Sequence, residues 1–280
     1  QMWEPFLDDM SRAVGVKVNG FYATDYAGII EAQRFNKVQI AWYGNKSAIE
    51  AVDRANGEVF VQFIDLDGTP GYYSYLITHK DSGITSLDQV LKNGKDMTFG
   101  IGDPSSTSGT LVPTYYVFTL NNLDPKTHFK VMRSANHEGN FLAVLNKQVD
   151  VATSNSEMTH KMKEKSPEKL EQIRILWTSP LIPRDPLVYR KDLPAEMKKK
   201  IQDFTVGYGK DDREKEILKN LYRLKGFKAS TNAQLLPIRQ LELFKDRKKF
   251  EGDANMFEAD RKAKLAEIDG KLAELARQMK

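Results

Sequence analysis

The chain contains no cysteine. A disulfide framework, a thiolate nucleophile and a thiolate-bound zinc are therefore excluded. The absence fits an oxidising compartment, where a stray thiol is a hazard, although cytosolic proteins can lack cysteine too. Histidine is scarce: His79, His128, His137 and His160 are the only four, and their spacing is not that of metal ligands. No metal or other cofactor is expected. Long apolar runs are also missing. The longest are strand-sized and interrupted by charges, short of the roughly 20 residues a membrane helix needs. No secretory signal is visible at Gln1-Met2-Trp3-Glu4-Pro5. Helical spacing is already under way there through Phe6, Met10 and Val14, whereas an α/β lobe ordinarily opens with a strand. The expectation is that a leading strand is missing.

No charge of one sign dominates. The 42 Lys and Arg stand against 38 Asp and Glu, a net of +4 with a pI near 8.9. No basic patch interleaved with aromatics stands out, so nucleic acid is not an expected partner. Hydrophobic residues at 40% and charged residues at 29% are ordinary for a globular protein. A length of 280 residues exceeds one compact domain and suggests two lobes.

What is present is an alternation of strand and helix signals. Val16–Phe21 alternates apolar and polar residues like a strand, and Asp25 then reads as the N-cap of a helix through Ile29, Ile30 and Phe35. Val38–Trp42 is a second strand, followed at Asn45 by a helix running to Gly57. Val59–Ile64 and Tyr72–Thr78 are further strands. The order predicts an α/β lobe with a parallel-type sheet. The pattern restarts with a strand at Met97–Ile101 and a helix through Leu111, Tyr115, Phe118 and Leu120. A strand at Phe129–Met132, a helix over 137–146 and a strand at Val149–Ala152 follow, with returning strands at Ile173–Trp177 and Leu187–Tyr189. Arg34-Phe35-Asn36-Lys37-Val38-Gln39-Ile40-Ala41 is echoed by Val144-Leu145-Asn146-Lys147-Gln148-Val149-Asp150-Val151-Ala152. Two similar lobes in one chain suggest a ligand cleft. From Pro194 onward the chain is helical and charged. Leu265, Ile268, Leu272, Leu275 and Met279 form a seam of about two heptads. It belongs either to a helix packed on its own chain or to one that pairs with another copy.

Chemistry concentrates in Gly100-Ile101-Gly102-Asp103-Pro104-Ser105-Ser106-Thr107-Ser108-Gly109, between a strand and a helix. Free N–H groups at a helix start, small residues and hydroxyls suit a tetrahedral oxyanion; an ordinary polar N-cap is the alternative. No Gly-Lys-Ser/Thr follows, so this is not a Walker motif. His137 opens the next helix and either donates to the same anion or lies on the surface. Glu157 and Asp185 sit at strand ends, where paired carboxylates would hold an ammonium, or else serve as local structural charges. Tyr26 and Tyr72 present a hydroxyl or ring face to an alkylammonium, or pack in the core or rim.

Several stretches together resemble a known family. They include Asp25-Tyr26-Ala27-Gly28-Ile29-Ile30, Ile40-Ala41-Trp42-Tyr43-Gly44-Asn45, Glu50-Ala51-Val52-Asp53-Arg54-Ala55-Asn56-Gly57, Ser106-Thr107-Ser108-Gly109, Lys147–Thr153, Ser179-Pro180-Leu181-Ile182-Pro183 and Leu236-Pro237-Ile238-Arg239-Gln240. From Trp3 to about Phe244 the chain resembles the periplasmic phosphonate-binding proteins of ABC importers. The resemblance implies a type II periplasmic-binding fold of two α/β lobes with a ligand cleft between them. Crossovers are expected near Tyr75–His79 and Ile182–Val188. Lobe 1 would comprise 1–77 and 188–250, lobe 2 would comprise 78–187, and 251–280 would form a C-terminal helical extension. It further implies phosphonate oxygens on Ser106, Thr107, Ser108 and His137. Tyr26, Tyr72, Glu157 and Asp185 would surround the substituent of 2-aminoethylphosphonate, with hinge closure of the lobes around the ligand. The implied partners are this small-molecule phosphonate and the importer's inner-membrane permease, with self-association through the C-terminal helix. Arg184 departs from the pattern, since close relatives carry glycine there. A cation beside Asp185 either competes for that carboxylate or points to solvent. A hydrolase on the same fold would need Ser106 or Ser108 with His137, and no Asp is evidently poised to orient the imidazole. A binding protein for phosphate, phosphite or methylphosphonate is the nearer rival.

Overall fold

The computed structural model describes residues 2–280. Their contacts sort the chain into two units, one ending at Tyr72 and resuming over Leu181–Gln234, the other formed by Tyr73–Pro180 and Leu235–Lys280.

The first unit starts with helix α1 (Glu4–Val14), whose buried residues Phe6, Met10 and Val14 recur every fourth position. Gly15 ends it in the left-handed region at φ 77°, which a side chain would disfavour. Val16–Phe21 departs from the expected strand. It is irregular, Val16 and Phe21 are exposed, and the Val18 amide donates to Ser11 Oγ at 2.8 Å. Alternation marks a strand only where a neighbouring strand takes its hydrogen bonds, and among the described residues none pairs with this segment. Helix α2 (Tyr26–Arg34) is capped as expected by Asp25, which accepts from the Gly28 amide at 2.7 Å. Strand β1 (Ile40–Trp42), helix α3 (Asn45–Arg54), strand β2 (Gly57–Asp65) and strand β3 (Gly71–Tyr72) follow.

The second unit is built on β4 (Ser74–His79), β5 (Thr98–Ile101), β6 (Val131–Ser134), β7 (Val151–Asn155) and β8 (Ile173–Thr178), in the order β6-β5-β7-β4-β8. The β5–β6 and β5–β7 pairs are parallel, while β4 runs antiparallel to β7 and β8. Neighbouring side chains on a strand face opposite ways, and β4 uses this fully. Leu76 joins Phe99, Val117, Phe118, Phe129 and Val151 on one face, and Ile77 joins Phe141, Val144, Val149 and Met162 on the other. Each such buried side chain contributes about 1.5–3 kcal/mol. Helix α4 (Leu87–Asn93) opens on a capping box between Ser86 and Gln89. Helices α5 (Pro125–His128), α6 (His137–Leu145), α7 (Ser156–Lys165) and α8 (Pro167–Leu170) complete the α/β alternation.

The chain then returns to the first unit through β9 (Ile182–Pro183), β10 (Pro186–Arg190), α9 (Ala195–Gly207), α10 (Asp212–Asn220) and β11 (Leu224–Ala229). Here the expectation of a parallel-type sheet needs correction. The order is β1-β10-β2-β11, and every pair in it is antiparallel. The two strands of the β1–α3–β2 unit run in the same direction, but the returning β10 lies between them. A core of Phe6, Phe60, Phe63, Leu187, Leu218 and Phe227 packs against this sheet.

Helices α11 (Leu236–Glu251) and α12 (Glu258–Gln278) pack on one another within the second unit. The heptad seam is used inside the chain: Ile268 and Leu275 are 3% and 8% exposed, and Arg247 Nε reaches Asp269 Oδ1 at 2.7 Å. The unit boundaries therefore differ from those read in the sequence. β4 pairs with β7 and β8, which moves the first boundary from 77/78 to 72/73. β9 pairs with β3, which moves the second from 187/188 to 180/181. α11 belongs with α12, which moves the third from 250/251 to 234/235.

Candidate functional site

On the second unit, three helix starts meet around one imidazole. The first belongs to the helical segment 107–121. The expected helix exists, but it winds in wide turns over Thr107–Leu111 and Thr114–Phe118. Pro113 has no N–H to give the Gly109 carbonyl four residues back. That carbonyl accepts instead from the Gly102 amide at 2.9 Å and from Thr153 Oγ1 at 2.8 Å. The Val112 amide reaches back to Thr107 O, and the Ser108 carbonyl accepts from Ser74 Oγ at 2.6 Å. The irregular winding thus anchors the Ser106–Gly109 turn to β4 and β7.

Ser106 caps this segment, its Oγ accepting from the Gly109 amide at 2.9 Å. Ser106, Thr107 and Ser108 are buried. Gly102 and Gly109 are required by close approach: a Cβ on Gly102 would stand 2.6 Å from Gly109 Cα. His137 is the first residue of α6, whose Asn136 cap accepts from the Gly139 amide at 2.8 Å. Its Nε2 lies 3.4 Å from Ser106 Oγ and 3.5 Å from Ser108 Oγ. Asn155 caps α7 through the Met158 amide at 2.8 Å, donates Nδ2 to Ser108 Oγ at 3.1 Å and stands 3.4 Å from His137 Nε2.

Burial lowers the His137 pKa to about 4, with Asp103 pulling weakly the other way. The residue keeps some surface, but Nδ1 is sealed from solvent and has no hydrogen-bond partner among the described residues. At neutral pH the ring is uncharged. The cluster therefore gathers hydroxyls, a neutral imidazole, an amide and the positive ends of helices, without a lysine or arginine among them. Such a set can receive an oxyanion by hydrogen bonds alone. Glu157, two residues past Asn155, lies half-buried in the first turn of α7.

The remaining expected residues belong to the first unit. Tyr26 opens α2. Tyr72 is buried in β3, with the Arg184 guanidinium 5.9 Å from its ring centre. Asp185, 5% exposed, accepts from Trp42 Nε1 at 2.8 Å through Oδ2. Arg184 does not point to solvent: it is 1% exposed and its Nη1 stands 3.7 Å from Asp65 Oδ2. The structure thus brings Ser106, Ser108 and His137 into one cluster, with Thr107 in the same turn. It adds Asn155, which sequence reading passed over; the signal was an Asn directly before a helix at the end of β7. No helix among the described residues is long and apolar enough to cross a membrane.

Known proteins share both sequence and fold. Residues 1–235 match the family described as ABC transporter, phosphonate, periplasmic substrate-binding protein. The phosphonates-binding periplasmic protein of Escherichia coli K12 is 54% identical over 275 residues, covering 98% of this chain and 81% of that protein. The crystal structure of a binding-protein component of an ABC phosphonate transporter from Pseudomonas aeruginosa superposes with a TM-score of 0.96 at 53% identity, over 99% of this chain and 92% of that one. A Prochlorococcus marinus protein solved in complex with methylphosphonate shares the fold, with a TM-score of 0.77 at 22% identity over 87% of this chain and 92% of that one.

Proposed function

Since the chain belongs to the periplasmic substrate-binding proteins of phosphonate ABC transporters, we propose that the phosphonate it captures for the importer's permease is 2-aminoethylphosphonate. As a member of that family it binds and delivers rather than catalyses.

The observation that carries the reading is the neutral donor cluster around His137 Nε2. Ser106, Thr107, Ser108, Asn155 and His137 suit the phosphonate end. The imidazole donates from Nε2 when its proton sits there. Glu157 and Asp185 take the ammonium, and Tyr26 and Tyr72 border the ethyl linker. Each hydrogen bond to a charged end contributes about 1.5–3 kcal/mol. Discrimination against inorganic phosphate comes from the carboxylates, which lose their cationic partner when no amine arrives.

The donor cluster by itself would accept any tetrahedral oxyanion, so a site for methylphosphonate, phosphite or phosphate is the second reading. Calorimetric titration with 2-aminoethylphosphonate, methylphosphonate and phosphate separates the two. Marked preference for the amino compound supports the proposal. Equal binding of all three leaves the anion cluster and removes the amine contacts.

A further inference from the structure

The uncharged imidazole of His137 carries one proton, and its two nitrogens offer that proton unequal places. Nδ1 is sealed from solvent and has no hydrogen-bond partner among the described residues. A proton there would be a buried N–H stripped of water with nothing to receive it. A bare lone pair in the same place is the milder defect. Nε2 instead faces Ser106 Oγ at 3.4 Å and Ser108 Oγ at 3.5 Å. Each of those oxygens already accepts one proton, Ser106 Oγ from the Gly109 amide at 2.9 Å and Ser108 Oγ from Asn155 Nδ2 at 3.1 Å. Asn155 turns its Nδ2 to the cluster because its Oδ1 accepts from the Met158 amide at 2.8 Å. A hydroxyl oxygen has two lone pairs and one proton. With the ring proton on Nε2, the second lone pair of each serine faces that proton, and both hydroxyl protons are left to be given away.

Charge around the ring is sparse. β5, β7 and the 107–121 segment carry no Asp, Glu, Lys or Arg. Tyr115 and Tyr116 on that segment pack edge to face on one another, their ring centres 5.0 Å apart. Arg133 of β6 is exposed. On α6, Glu138 is exposed and meets Lys161 Nζ of α7 at 3.3 Å, and Glu157 stands in the first turn of α7. Asp103, in the loop after β5, is the charge whose field reaches the ring, and its Oδ1 accepts from the Ser105 amide at 2.8 Å.

We propose that the cluster of Ser106, Ser108, Asn155 and His137 presents donors only, so that it takes a phosphonate as its dianion and rejects the monoanion. The monoanion's P–OH would bring a fourth kind of donor to a place with no lone pair left for it, and its proton would be buried without a partner. The proposal rests on the reading of this cluster as the anion site under Proposed function, and it uses residues of the second unit alone.

The test titrates the unaltered protein by calorimetry with two ligands. Methylphosphonate loses its second proton near neutral pH, whereas the fluorines of trifluoromethylphosphonate keep it dianionic throughout. Between about pH 5.5 and 8, methylphosphonate affinity falls about tenfold for each unit below the ligand's second ionisation, as the competent fraction shrinks. Trifluoromethylphosphonate affinity holds within about threefold over the same range. A flat methylphosphonate profile overturns the proposal, since some group then accepts the P–OH proton. A parallel fall for both ligands also overturns it, because the titrating group then belongs to the protein. Proton–nitrogen correlation NMR of the ligand-free protein, with His137→Gln identifying the resonances, is expected to show the ring proton on Nε2; a proton on Nδ1 overturns the proposal by itself. A Ser108→Ala variant that binds both ligands as tightly as the unaltered protein overturns the reading of the cluster as the anion site, and the proposal with it.

Discussion

Asn155 Nδ2 donates to Ser108 Oγ at 3.1 Å while Asn155 Oδ1 caps α7. One side chain thereby ties the start of α7 to the first turn of the 107–121 segment. Both bonds bear on the anion binding proposed above. The cap fixes the N-terminus of α7, and the second bond orients the Ser108 hydroxyl.

Replacement of Asn155 by Ala is expected to weaken 2-aminoethylphosphonate, methylphosphonate and phosphate together, each by about tenfold, the equivalent of ~1.4 kcal/mol. Loss of the cap should also lower stability by about 1 kcal/mol. Titration of the three ligands, paired with a urea melt, checks both effects. A loss confined to one ligand would show that Asn155 reads the substituent instead.

Glu157→Gln and Asp185→Asn test the amine end of the proposed ligand. Each is expected to cost about 1.5–3 kcal/mol against 2-aminoethylphosphonate and little against methylphosphonate. Competition binding with the two ligands measures the difference. Equal losses for both would remove these acids from the amine site.

His137 gives the ligand-free protein a pH dependence whose sign follows from burial. Its pKa is lowered from 6.5 to about 4 in the folded state, so the unfolded chain binds the extra proton first. The stability this neutral ring allows is fully present above pH 6.5 and is lost as pH falls from there toward about 4. A loss on the order of 1–3 kcal/mol is expected over that window. His137→Gln should flatten it. Denaturant midpoints taken across the window, with an NMR titration of the imidazole, provide the measurement.

Gly102→Ala would put a methyl group 2.6 Å from Gly109 Cα. Backbone cannot yield there without opening the Gly102 N–H to Gly109 O bond of 2.9 Å. Stability should drop by about 1–3 kcal/mol, with weaker binding of every phosphonate and of phosphate. Thermal melts and titration of the variant report on the two together; unchanged binding would separate the turn from the site.

Much of the α/β alternation was legible because it is local. Asp25 before α2, Asn45 opening α3 and the apolar spacing of α1 each announce an element from a few neighbouring residues. The Ser/Thr/Gly turn and His137 were legible for the same reason, each standing between a strand and a helix start. What escaped depends on distant partners. β4 joins the second unit because Leu76 pairs with Thr153 and Trp177, residues about a hundred positions away by the longer pairing. β10 separates β1 from β2 only after the chain has passed through the whole second unit. Val16–Phe21 has the alternation of a strand and lacks a neighbour to make it one. Asn155 escaped because its bond to Ser108 spans 47 residues. Arg184 was placed beside Asp185 by sequence, but Asp65, the acid it meets, lies 119 positions earlier, as 184 − 65.

The cluster around His137, proposed above as the anion site, offers hydroxyls, amides and an uncharged ring. Lysine or arginine in their place would have drawn a cloud of small ions that the ligand must displace, and salt would weaken such contacts steeply. If this cluster is the anion site, binding there should change little as salt rises.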